Sequence, residues 1–90
     1  MKPKHGDLVK VMWIDPRSDA SWIEKNDEDL TPALCTNVGY FNYIKEGNLY
    51  LYASYHDDSI GDRIVIPYRL VKEMKKLNDR HQPAKRLHKR

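Results

Sequence analysis

Apolar and polar residues alternate along this chain in short blocks. Residues 8–14 read Leu-Val-Lys-Val-Met-Trp-Ile. They are rich in β-branched and aromatic side chains, and Val9, Val11 and Trp13 share one face of a predicted strand. Asp15-Pro16 closes the block, because proline offers no ladder donor and restricts the residue before it. A second extended run covers residues 33–44, with Leu34, Thr36, Val38 and Tyr40 on one face. Gly39 in its middle marks a bend, a bulge or the close approach of another chain. Lys45-Glu46-Gly47-Asn48 is a hairpin signal, with Gly47 and Asn48 tolerating positive φ. The return strand, residues 49–55, sets Leu49, Leu51 and Ala53 against Tyr50, Tyr52 and Ser54. After a loop at 56–61, residues 62–66 make a short fourth strand that Pro67 stops. Residues 67–70 fit one helical turn, since proline suits a first helical position. Residues 71–77 stay open between strand and helix, because Leu70, Val71, Met74 and Leu77 have helical spacing.

Five short strands, two tight hairpins and one helical turn describe a mainly β fold. The expected architecture is a small five-stranded SH3-like or Sm-like barrel, with a three-stranded sheet and C-terminal helix as the alternative. Barrel closure would remove exposed edges from a small sheet. The polar connection at 15–32, with Asp19, Glu24, Asp27, Glu28 and Asp29, is long for a compact domain, and such connections are often functional. Residues 21–24 fit a short helical turn within it.

Charge divides the chain. Its 90 residues hold 16 Lys+Arg and 13 Asp+Glu, and the sequence pI is about 9.0. Residues 72–90 carry eight basic and two acidic residues, a net +6, which leaves residues 1–71 at −3. The expected organisation is one domain over 1–77 and a basic, disordered tail over 78–90. Only Leu87 in that tail is a sizeable apolar residue, too little to offset the entropy of ordering. No segment approaches the roughly 20 consecutive apolar residues of a membrane helix, and no apolar stretch follows Met1-Lys2-Pro3-Lys4 as in a secretion signal. No membrane contact is therefore expected. A single cysteine excludes an internal disulfide framework.

Several residues together suggest a family. In order along residues 8–77 stand Val11-Met12-Trp13-Ile14-Asp15, Ser21-Trp22, Cys35-Thr36-Asn37-Val38-Gly39-Tyr40-Phe41, Ile66-Pro67 and Met74-Lys75-Lys76-Leu77. This series resembles a group of small uncharacterised phage and prophage proteins. Their shared pattern is a Val-x-Trp-x-Asp strand end, a Ser and a Trp in a long loop, a Ser/Thr-x-Val-Gly-aromatic strand, a hairpin, and Ile-Pro before a basic stretch. The resemblance implies a phage-encoded accessory protein acting in the host cytoplasm, with no named reaction. The group often carries Ala-His after the Asp, where this chain has Pro16-Arg17, so a role for that histidine does not carry over.

Catalytic chemistry finds little support in the residues. Cys35 lies in an extended apolar run, which suits a small buried hydrophobe. His5, His56, His81 and His88 stand in no recognisable catalytic context. His56-Asp57-Asp58 are three adjacent loop residues, whereas metal sites gather ligands from separated positions. The four glycines form no phosphate-binding loop. No enzyme activity, metal or cofactor is expected. The aromatic residues carry more. Trp22 stands near Asp15, Arg17, Ser18 and Ser21, so an indole, a guanidinium and hydroxyls could meet a nucleobase, a phosphate and a ribose. Thr36 and Asn37 would join them if the long connection folds over the second strand. Tyr50 and Tyr52 are candidates for base stacking or for a subunit interface. Arg80, Lys85, Arg86, Lys89 and Arg90 are candidates for nucleic-acid contact by the tail. The leading expectation is a non-enzymatic, homo-oligomeric protein that sequesters a small phosphorylated ligand, such as a host nucleotide signal. The alternatives are a nucleic-acid-binding accessory protein and a protein-binding module that inhibits a host enzyme.

Overall fold

The computed structural model describes residues 2–16, 22 and 31–81. Five strands run in order: β1 (Asp7–Asp15), β2 (Ala33–Lys45), β3 (Asn48–His56), β4 (Ser59–Pro67) and β5 (Val71–Arg80). A 3-10 turn, Tyr68–Leu70, joins β4 to β5 and is the single one among the described residues. The strands form one antiparallel sheet in the order β4-β3-β2-β1-β5. The residues left open between strand and helix at 71–77 are strand, and β5 continues to Arg80, past the Leu77 boundary expected for the domain.

The closed barrel is corrected. β4 and β5 are the two ends of the strand order and do not pair with each other. The outermost strand β5 carries Lys72, Glu73, Lys75 and Lys76, all exposed. Pairing another strand there would crowd ammonium groups, and charge is a common way to keep a sheet edge unpaired.

The sheet nevertheless wraps on itself. Val9, Val11, Leu49 and Ile66 are 0% exposed although the described residues hold no second layer. Curling of the sheet accounts for that. The bend lies in β2, whose residues 33–40 pair with β1 and whose residues 40–45 pair with β3. Tyr40 faces Leu8 on one side and Tyr52 on the other. Gly39 precedes this corner for a steric reason: a Cβ there would lie 3.2 Å from the Tyr52 carbonyl oxygen. A bulge at Asn42, between the Phe41–Leu51 and Tyr43–Tyr50 pairs, adds to the bend.

The core follows from the alternation. Val9, Val11, Phe41, Leu49, Leu51 and Ile66 form its centre, and Trp13, Ile64, Val71 and Met74 pack against it. Trp13 also donates its indole N–H to Asn37 Oδ1 at 2.7 Å, which holds Asn37 to the inner side of β2. The β2–β3 turn falls on Lys45-Glu46-Gly47-Asn48 as expected, with φ of 50° and 79° at Glu46 and Gly47, so Glu46 and not Asn48 takes the positive φ beside Gly47. The carbonyl of Gly47 accepts from the N–H of Tyr68 at 2.8 Å, tying the 3-10 turn to this hairpin.

Candidate functional site

The outer face of the β2–β3–β4 end carries a row of exposed side chains. Tyr43 stands opposite Tyr50, and Tyr50 opposite Val65. The bulge at Asn42 re-aims β2 so that the two tyrosine rings meet, with centroids 4.7 Å apart and planes at 44°. Tyr43 and Val65 are 45% and 49% exposed. Arg63, two residues before Val65 on β4 and also exposed, brings a guanidinium to the same face. Asp62, held at φ 52°, accepts a short hydrogen bond from the Ser54 hydroxyl. Tyr43, Tyr50, Asp62, Arg63 and Val65 line a cleft of about 570 Å³ together with Leu51 and Ile60. Two ring faces, one cation and one hydrogen-bonding carboxylate suit a ligand with a flat ring, an anionic group and hydroxyls.

The residues expected to bind from sequence scatter. Trp22 is 99% exposed, so nothing among the described residues covers its ring. Arg17, Ser18 and Ser21 lie outside the described residues. Asp15 ends β1 opposite Ala33. Thr36 and Asn37 project to opposite faces of β2, as adjacent strand residues must. Thr36 is exposed, while Asn37 is occupied by Trp13. One ligand cannot use both from one side of the sheet. Arg80 lies on β5 against Asp7, and Lys85, Arg86, Lys89 and Arg90 fall outside the described residues. Tyr50 is half-buried and meets the cleft, but Tyr52 is 0% exposed and cannot stack a base or face a subunit. Cys35 is half-buried within β2, and exposed His56 lies 3.7 Å from Asp57.

What seals Tyr52 was not expected. His81, placed in the tail by its polar neighbours, is only 5% exposed. Its Nδ1 lies 2.6 Å from the Tyr52 hydroxyl, and its ring stacks on Tyr55 with centroids 3.6 Å apart at 13°. Tyr40 packs edge-on against His81, and His5 and Tyr40 flank Tyr52 at 5.9 and 5.5 Å. The two ends of the described fold close over this cluster as a clasp. The His81 N–H donates to the Gly6 carbonyl at 2.7 Å, and the Gly6 N–H donates to the Phe41 carbonyl at 2.8 Å. Burial, and secondarily the charge of His5, pushes the His81 pKa below its ordinary value, so the imidazole is held neutral. Burial pushes Tyr52 and Tyr40 upward, with the neighbouring tyrosines adding to the effect. As the more acidic N–H or O–H donor of the pair, we assign the phenol as donor to unprotonated Nδ1.

Asp7 anchors the other side of the clasp. It is 2% exposed, accepts from the Lys4 backbone N–H at 2.8 Å, and lies 3.3 Å from Arg80 Nε and 3.8 Å from Lys76 Nζ. Among the described residues no group of three His, Cys, Asp or Glu could hold a metal ion. No helix among them is long and apolar enough to cross a membrane. Comparison with family models, with curated proteins and with solved structures finds no significant match to this chain.

Proposed function

We propose that this chain is a non-enzymatic binding protein that captures a small phosphorylated ligand of nucleotide type in the Tyr43–Tyr50 cleft. The observation that carries this reading is the pair of rings, exposed Tyr43 and half-buried Tyr50, 4.7 Å apart at a cleft that also presents Arg63. A base stacks on the tyrosine faces, the guanidinium takes the phosphate, and the Asp62 carboxylate accepts from ribose hydroxyls. The resemblance to small phage and prophage proteins supplies a setting: in the host cytoplasm, such capture withdraws a nucleotide signal and blunts host defence. Sequestration needs affinity without turnover. A homo-oligomer would present several clefts at once and raise the capacity of the sink.

Calorimetry of the purified protein against mono-, di- and cyclic nucleotides tests the reading. Binding to at least one member is expected, and Tyr50→Ala should weaken it by about tenfold, given stacking contributions of roughly 1–3 kcal/mol per base. Arg63→Ala should weaken phosphorylated ligands and leave the bare nucleoside unaffected. No heat of binding with any member overturns it.

A further inference from the structure

We propose that the N-terminal segment and β5 form a track for the phosphate backbone of a nucleic acid, separate from the Tyr43–Tyr50 cleft. The track begins at a second cleft, of about 480 Å³, lined by Lys2, Lys4, Asp7, Lys76, Asp79 and Arg80 among others. Its one buried carboxylate, Asp7, is shared by Lys76 and Arg80, whose side chains remain 54% and 47% exposed. Two cations on one anion leave a surplus facing solvent. Asp79 is partly occupied, since its Oδ1 accepts from the Arg80 N–H at 2.6 Å. Lys2 and Lys4 add two exposed ammonium groups at the same place.

The positive charge continues along the sheet. Lys10 on β1 stands directly opposite Lys75 on β5, on the other face of the sheet from Lys76, and Lys72 lies exposed further along β5, so the track follows the β5 edge, which side chains of both faces flank. None of Lys2, Lys4, Lys10, Lys72 and Lys75 has an ion-pair partner among the described residues. Like charges directly opposite across a ladder are destabilising. Guarding a sheet edge accounts for lysines on β5. It does not account for Lys10, which sits on an inner strand, nor for Lys2 and Lys4, which precede β1. A polyanion accounts for all of them.

Length selects the polyanion. From Lys72 to Arg80 the strand rises about 26 Å at ~3.3 Å per residue. One strand of DNA carries about eight phosphates over that distance. A single phosphate would occupy only the cleft. The cations form a line and a cleft, and the apolar side chains beside them, Val38 opposite Lys10 and Leu77 in the cleft, stand singly rather than as the continuous apolar face of a membrane-surface helix. The net acidity of residues 1–71 is no objection, because the track draws its cations from β5, from Lys10 on its neighbour β1 and from the N-terminal segment.

The test is fluorescence anisotropy of the full chain with labelled single-stranded and duplex oligonucleotides, between about 50 and 200 mM salt. Binding that weakens as salt rises is expected. The triple variant Lys2→Glu, Lys4→Glu, Lys75→Glu should bind at least about tenfold more weakly, with a log–log salt slope shallower by about two to three. Lys45→Glu, on the β2–β3 hairpin far from the track, should bind as the parent does. The three reversed side chains are exposed and unpaired, and circular dichroism verifies that the variant folds. No binding at the lowest salt overturns the track. So does a triple variant that binds like the parent, which would place the contact in residues 82–90. Retention by anionic lipid vesicles without binding to oligonucleotides also overturns it.

Discussion

Tyr50 and Tyr52 stand two residues apart on β3 and share one face of the sheet, yet their environments are opposite. Tyr52 is sealed, with its hydroxyl bonded to His81 and its ring flanked by His5 and Tyr40. Tyr50 meets Tyr43 at an open cleft. The strand itself treats both alike. The difference is cover: the two ends of the described fold, Gly6 and His81, cross over one tyrosine and not the other. One end of this sheet face spends its aromatic rings on holding the fold, and the other leaves them at an open cleft. Residue type alone therefore does not separate a sealed tyrosine from one at a cleft.

Truncation tests this contrast most severely. Tyr52→Ala removes a fully buried ring and strands the His81 nitrogen, so a loss of about 4 kcal/mol is expected from denaturant unfolding, as for other large buried aromatics. Tyr50→Ala should cost less than about 1 kcal/mol while weakening ligand capture, since half-exposed residues contribute little to stability. Equal losses at the two positions would break the distinction. Gly6→Ala comes next. Gly6 has φ 92°, and a Cβ there would lie 2.2 Å from the His81 carbonyl oxygen. The backbone of the clasp must shift, at a cost of about 2–3 kcal/mol. Its Tyr52 fluorescence and amide protection should resemble a loosened clasp, with the Tyr43–Tyr50 end unchanged. Tyr52→Phe is gentler still: it keeps the ring but leaves a buried acceptor unpaired, for about 1–2 kcal/mol. Tyr43→Phe, by contrast, should be neutral for stability.

The strands were legible because period-two alternation and proline punctuation are local. Val9, Val11 and Trp13 share a face as their spacing predicts, and Leu49 and Leu51 point inward opposite Tyr50 and Tyr52. The inner face of β2 is set by its largest apolar residue, Phe41, which draws Gly39 and Asn37 to the core side. Closure was not legible. Five strands with this connectivity can either join their edges or curl and leave them open, and that depends on what two distant strands present to each other. The clasp was missed for a similar reason. His81 follows a run of polar residues, and its burial rests on partners from β2, β3 and the N-terminal segment, 26 to 76 residues away. The usable signal was the concentration of tyrosines at 40, 52 and 55, which needs a cover of mixed polarity such as imidazole. The open cleft depends on a bulge at Asn42, and an asparagine in a strand gives no warning of one.

Acid and alkali supply the finest test, because the sealed end holds His81, Tyr40 and Tyr52. His81 is held neutral by burial, and the groups facing it are His5, Tyr40, Tyr52 and Tyr55. Its folded pKa lies below the ordinary 6.5, so in the acid range the unfolded chain binds the proton more readily than the fold does. The stability contribution of neutral His81 is thus complete above pH 6.5 and declines as pH falls from there toward the lowered value. Tyr40 and Tyr52 act in the other direction. Their folded pKa values lie above 10.0, so the unfolded chain loses its protons first and stability declines as pH rises through 10. Denaturation midpoints should therefore form a plateau between about pH 6.5 and 10, with a shoulder on each side. The double variant Tyr52→Phe, His81→Phe keeps both rings and removes both partners of the hydrogen bond, a change that can be nearly neutral at pH 7. It should flatten the acid shoulder, and only Tyr40 should remain of the alkaline one. An acid shoulder that survives in the double variant would show that the clasp histidine is not its source, and the sealed end would lose its claim to be the part of the fold that pH can open.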